Sequence, residues 1–336
     1  MTMQMRYGSS SDQGRRQVQQ DLVLTLPRLF NDDTYHFFAV LDGHGDHGHK
    51  VAQLVQTRFA KLLEEYAPQI RQDPEGIWST IFSRLDEEVI DAPDSELDPY
   101  LSGTTVSALL LCEDKFVVIN LGDSRVIHGF STCITSEASE RDVDEPSQSD
   151  PLPAVAEAIA TDYPLNETKN EAKGHQDSST DGKWTIEQLT RDHTCSDPEE
   201  RARVIAKGAR VDQLFDGMQR IGPLRLFKGS LPYPGLVVTR ALGDTSARRL
   251  GVHATPEVTT FPLLSGHHCF VLATDGVWDG LTNENVLDLV APFYSLESNH
   301  GAEEASSTLT RHSLQALDRI MIDDNTSNVC IFLSVP

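Results

Sequence analysis

Short apolar runs alternate with turn-forming clusters along the chain, and this pattern predicts its elements. The first run, Phe37-Phe38-Ala39-Val40-Leu41, has the length of a buried strand and stops at the turn sequence Asp42-Gly43-His44-Gly45. Val51, Val55, Phe59, Leu62 and Tyr66 then recur at helical spacing and form one apolar stripe. A second helix is expected over residues 77–90. Three strands follow, at 104–111, 116–121 and 125–130, separated by Cys112-Glu113-Asp114-Lys115 and by Gly122-Asp123-Ser124. Connections this short join antiparallel neighbours, because a parallel crossover needs a dozen or more residues.

From 131 to 183 the character changes. Twelve Asp or Glu stand against four Lys or Arg, a balance of −8, and there is little periodicity. A disordered or loosely held acidic insertion is expected there, with at most a short helix at 154–160. Order resumes at Trp184. Residues 198–207, 284–293 and 303–320 read as helices, and 235–239, 269–273 and 328–335 as strands. The class expected is α+β: antiparallel sheets covered by amphipathic helices, in a single domain spanning 1–336 that the insertion interrupts.

Composition narrows the partners more than the fold. The formal net charge is −23, which repels nucleic acid and anionic lipid, so neither is expected as a partner. No stretch approaches the roughly 20 apolar residues of a membrane span. Met1–Gln20 is polar and lacks the apolar core of a secretory signal. Cys112, Cys133, Cys195, Cys269 and Cys330 are odd in number and form no Cys-x-x-Cys pair, which argues against a disulfide framework and a zinc site. The expected setting is reducing and intracellular, cytoplasmic with the nucleus also open, and the chain is expected to be a monomer.

The recurrent chemical feature is an apolar strand with aspartate at its end. Asp42 and Asp275 each follow one and precede a glycine, and Asp324 sits just before the last strand. Side by side, such carboxylates repel unless a cation neutralises them, and oxygen-only ligation suits Mg²⁺ or Mn²⁺. Each Asp-Gly alone is also an ordinary turn.

The order and flanks of these motifs resemble one family, the type 2C protein phosphatases, metal-dependent enzymes acting on phosphoserine and phosphothreonine. The matching stretches begin with Gly14-Arg15-Arg16 through Gln20-Asp21, then 37–45 reading FFAVLDGHG and Ser102-Gly103-Thr104-Thr105. Asn120-Leu121-Gly122-Asp123-Ser124-Arg125 follows, then 189–193 reading LTRDH and the helix containing Glu199. Residues 234–244 (PGLVVTRALGD), 273–279 (ATDGVWD) and Asp324-Asn325-Thr326-Ser327 complete the set. The resemblance implies a four-layer αββα sandwich of two antiparallel sheets flanked by helices. It implies two Mg²⁺ or Mn²⁺ ions, bridged by Asp42 and held further by the Gly43 carbonyl, Asp275 and Asp324, with Asp279 an outer ligand. Asp123 matches a position that in some members helps hold a third ion. A water between the ions would attack phosphorus, Arg16 would grip the phosphate, and His44 would act as general acid. Substrates would be phosphoserine or phosphothreonine proteins. Residues 211–233 correspond to the mobile flap, while Ser102, Gly103, Thr104, Gly243 and Asp244 read as structural.

One departure stands out. Gln20 occupies the place of a usual carboxylate at the second metal. If this segment is a strand, Asp21 points to the opposite face and does not replace it. Two rival functions follow from the residues. Cys195 and Arg201 have the Cys-x5-Arg spacing of cysteine phosphatases, but Asp197, Glu199 and Glu200 would repel phosphate and Pro198 lacks an N–H. The neutral Gln20 also leaves open a pseudophosphatase that binds phosphoproteins without turnover. Arg15 or Arg16 could instead be a plain surface charge, and His44, His47 and His49 a polar loop or soft ligands.

Overall fold

The computed structural model describes residues 3–92, 97–132, 184–295 and 299–336. Strands β1 (Gln4–Asp12), β2 (Asp21–Leu26) and β3 (His36–His44) come first, then helices α1 (Gly48–Glu65), α2 (Ala67–Gln72) and α3 (Trp78–Ile90). Next are β4 (Gly103–Thr104), β5 (Val106–Leu111), β6 (Lys115–Leu121), β7 (Arg125–Ser131) and β8 (Thr185–Gln188). Helix α4 (Pro198–Ala206) leads to β9 (Ala209–Asp216), β10 (Gln219–Lys228), β11 (Pro234–Leu236), β12 (Leu242–Gly243), β13 (Glu257–Pro262) and β14 (Gly266–Ala273). The chain closes with α5 (Asp275–Trp278), α6 (Asn283–Val290), α7 (Asn299–Arg319) and β15 (Thr326–Val335).

One sheet runs β1-β15-β14-β7-β8; the other runs β12-β4-β3-β5-β6-β13, with β2 also pairing β3. The ladders between these strands are antiparallel, as the short connections predicted. Two-residue alternation builds the layers. On β3, Phe38 and Val40 join Phe116, Phe270, Leu272, Val329 and Ile331 in an apolar layer between the sheets. Phe37, Ala39 and Leu41 face the other way, onto the stripe Val51, Val55, Phe59 and Leu62 of α1 and onto Trp78 and Phe82 of α3. Cys269, Val271, Cys330 and Phe332 pack beneath Val286, Val290, Ala305 and Leu309 of α6 and α7. This is the expected helix–sheet–sheet–helix order. Each large apolar side chain fully buried in it contributes about 1.5–3 kcal/mol.

One expectation needs correction. β6 and β7 are not neighbours: β6 pairs β5 and β13, whereas β7 pairs β14 and β8. Gly122-Asp123-Ser124 carries the chain from one sheet to the other, with Gly122 at φ 108, a conformation open to glycine. Residues 211–233, matched to the flap, hold most of β9 and all of β10, a hairpin that β11 extends into a three-stranded sheet. Its polar, glycine-bearing sequence hides the strands. β1 was also hidden, being polar, and it forms because all nine of its residues pair with β15. The expected insertion, apart from its first two residues, and the short helix at 154–160 lie outside the described residues. Among those described, no helix is long and apolar enough to cross a membrane.

Candidate metal and phosphate site

The alternation that builds the core also aims Asp42. It continues the Phe38–Val40 face of β3 one step past the apolar layer, so its carboxylate emerges between the sheets at their common end. Backbone and hydroxyl contacts pin it: Thr105 N–H donates to its carbonyl at 2.9 Å, and its own N–H donates to Thr105 Oγ1 at 3.2 Å. Asp123 arrives from the crossing between sheets. Asp275 follows β14 and starts α5, and Asp279 lies one turn later. Carboxylate oxygens of Asp42, Asp123 and Asp275 lie within 4.8 Å of one another.

Every carboxyl of this group is pushed toward its protonated form. Burial lifts Asp42 and Asp275 well above the usual range; the charges of Asp275, Asp21 and Asp123 lift Asp42 further, and those of Asp123, Asp324 and Asp279 lift Asp275. Burial, then the Asp192 charge, brings Asp123 to about 7. Asp279 reaches about 6 through burial and the Asp324 charge. Burial also raises Asp324, while Arg16, whose Nη2 donates to its Oδ2 at 3.1 Å, opposes the rise. Several convergent, half-buried, oxygen-only donors that cannot ionise together comfortably fit a hard divalent cation, which would supply the missing positive charge. The sequence-nominated Asp42, Asp123, Asp275, Asp279 and Asp324 are thus in one electrostatic group.

Gln20 and Asp21 exchange the places expected of them. The ladder sets Asp21 opposite Asp42, and cross-strand partners share a face. Asp21 is buried, accepts from Thr274 Oγ1 at 2.8 Å, and is raised to about 7 by burial, with a further push from Asp324. Gln20 faces the start of α1, where its Nε2 donates to the Gly45 carbonyl at 2.8 Å. Asp21, the first residue of β2, is the one set opposite Asp42, and Gln20 lies just before the strand.

His44, the last residue of β3, points its Nε2 at Asp244 Oδ2, 2.6 Å away. Burial would push the ring down, but the Asp244 charge and hydrogen bond outweigh it, and the ring is raised above its ordinary value. Asp244 is buried in a left-handed turn at φ 49. Gly103 makes the approach feasible: a Cβ there would lie 2.3 Å from Asp244 Oδ2 and 2.8 Å from His44 Nε2. Reading Asp244 as a plain turn residue missed this partner. Nothing local marks it, since the contact joins residues 200 positions apart. Arg16 lies half-exposed at the rim beside Asp324, whereas Arg15 pairs with Asp318 of α7. Arg125, not singled out from sequence, donates to Asp192 at 2.6 Å and Asn283 at 2.7 Å and stacks over Trp278 beside Asp279. Burial raises the fully buried Cys195 thiol to about 11, which makes it a poor nucleophile.

Comparison with known proteins bears on the fold and the family. The "Probable protein phosphatase 2C 35" of Arabidopsis thaliana is 29% identical over 304 residues, spanning 86% of this chain and 72% of the relative. A solved serine-threonine phosphatase 2C from Toxoplasma gondii superposes with a TM-score of 0.68 at 18% identity, over 98% of this chain and 95% of that one. The catalytic domain of serine threonine protein phosphatase PstP, solved with 2 manganese ions, superposes with a TM-score of 0.52 at 18% identity, over 99% of this chain and 100% of that one. The family model described as Protein phosphatase 2C matches residues 5–131 and 177–318. With most of its length matched and its sheets and helices in the corresponding arrangement, the chain belongs to the protein phosphatase 2C family and is a serine/threonine protein phosphatase.

Proposed function

We propose that the protein removes phosphate from phosphoserine and phosphothreonine side chains at this carboxylate cluster, with two Mg²⁺ or Mn²⁺ ions held there. The convergence of Asp42, Asp123 and Asp275 oxygens within 4.8 Å carries the reading. Asp42, the Gly43 carbonyl, Asp275, Asp324 and Asp279 would hold the two ions, and Asp123 stands where a third could share it. Asp21 backs the cluster from β2. When bound, such ions make water nucleophilic near neutral pH and neutralise phosphate charge. The chain's own residues do the rest. Arg16 uses one donor on Asp324 and has others to grip phosphate oxygens. The Asp244 carboxylate, bonded to His44 Nε2, favours the protonated imidazolium, which would give a proton to the serine or threonine oxygen as it leaves. The manganese-bearing PstP domain supports the choice of cation.

The test is phosphopeptide hydrolysis in Mn²⁺ or Mg²⁺, alone and with excess chelator, for the wild type and Asp42→Asn. Turnover should need the cation and be lost in the variant. Full turnover in chelator refutes the metal reading. Tight phosphopeptide binding without turnover in either cation would make the protein a pseudophosphatase.

A further inference from the structure

Beside the cluster lies a cavity of about 330 Å³ that the reaction does not use. Its floor is apolar, formed by Leu314 and Leu317 of α7 and by Ile322 just beyond that helix. Its rim is acidic: Asp12 at the end of β1, Asp318 on α7, and Asp323. Asp324 lines it too, and the same Asp324 accepts from Arg16 at the phosphate site, so cavity and reaction centre share a wall. Gly14 shapes the other side at φ 59, where a Cβ would lie 2.3 Å from the Asp324 carbonyl.

We infer that this cavity is a substrate subsite that receives a lysine or arginine next to the phosphorylated residue. The inference rests on the phosphatase reading above. An apolar floor under a carboxylate rim suits a side chain with a methylene stem and a cationic head. The protein supplies an internal example, because the Arg15 guanidinium already sits in the cavity wall, bonded to Asp318 and 4.0 Å from Asp323. Three rim carboxylates stand against that one guanidinium, so charge is left for a second cation. The reach is short, since an extended peptide advances roughly 3.3–3.6 Å per residue, so a residue one or two positions from the phosphoserine can enter. The size, at the low end of the roughly 300–1,000 Å³ of ligand pockets, suits one side chain rather than a cofactor.

The test uses the full chain with Mn²⁺ and phosphoserine peptides carrying Lys, Ala or Glu at each of the two positions on either side. kcat/KM is measured for each, relative to p-nitrophenyl phosphate, which is too small to reach the subsite. That ratio cancels any general loss of activity. In the wild type, Lys at one position should beat Glu by roughly five- to tenfold, as expected for exposed charges worth up to about 1 kcal/mol per pair, and less in high salt. Asp318→Lys should abolish or reverse the preference. Leu314→Gln, which keeps the rim but roughens the floor, should weaken Lys and Ala peptides while keeping Lys ahead of Glu. Equal ratios for Lys and Glu peptides in the wild type, or an unchanged preference in Asp318→Lys, overturn the subsite while leaving the phosphatase reading intact. Failure to hydrolyse any peptide and p-nitrophenyl phosphate alike overturns that reading and the subsite with it.

Discussion

Asp123→Asn should make the metal-free protein more stable while weakening its hold on metal. The wild-type carboxyl is raised from an ordinary 3.8 to about 7 by burial and by Asp192. For a carboxyl whose folded value is raised, folding carries no penalty below pH 3.8. The penalty grows as pH climbs through 7 and is constant beyond. Three units correspond to about 4 kcal/mol at most, at about 1.4 kcal/mol per unit. Asp123 is only half-buried, so solvent screening reduces this to about half. An asparagine is neutral at every pH and can donate to the neighbouring carboxylates. The gain of about 2 kcal/mol should raise Tm by about 3 °C or more for a domain of this size. The assay is thermal melting in EDTA at pH 5 and pH 8, repeated at pH 8 with Mn²⁺. The variant should melt higher than wild type in EDTA at pH 8, by a margin that shrinks at pH 5. With Mn²⁺ the wild type should gain more, because binding to the folded state stabilises by RT ln(1 + [L]/Kd). A variant that melts lower than wild type in EDTA at pH 8 would show that Asp123 is satisfied without metal, and the electrostatic account of the cluster would fail.

His44→Gln should slow phosphoserine hydrolysis by about 10²-fold or more and aryl phosphate hydrolysis far less, because an aryl oxide leaves without a proton; equal losses would give His44 another role. Asp244→Asn should show the same split in milder form, as expected of a group that holds the ring rather than touching substrate. Asp21→Asn should raise the apparent Mn²⁺ constant at least several-fold, and Gln20→Glu, at the Gly45 carbonyl, should change it less, both read from activity against Mn²⁺ concentration at fixed pH; a larger effect at Gln20 would restore it to the metal shell. Replacing residues 133–182 by a short flexible join should keep activity and leave Tm within a few degrees, because Phe130 and Thr185 are already ladder partners and a short loop closes at little entropic cost; loss of the folded state would place that segment in the core.

Local pattern carried much of this protein in its sequence. The apolar run before Asp42 and the one before Asp275 are strands because alternating buried faces need β-branched and aromatic side chains, and the stripe from Val51 to Leu62 is a helix because 3.6-residue periodicity leaves no other face to bury. The ends of those strands announced Asp42, Asp275 and Asp324, and the motif order announced the family. Periodicity, however, describes an element and not its partner. That β6 and β7 part to different sheets, that polar β1 is a strand, and that residues 209–228 fold into a hairpin were decided by pairing across the chain. The same holds at the site. Asp21 rather than Gln20 faces Asp42 because register on β3 fixes which side of β2 turns inward. Asp244 meets His44 because the β4–β12 pairing and the missing Cβ of Gly103 let two distant turns touch. Both facts depend on backbone hydrogen bonds between distant segments, whose donors and acceptors are the same in every residue but proline, so the side-chain sequence leaves no local mark of them.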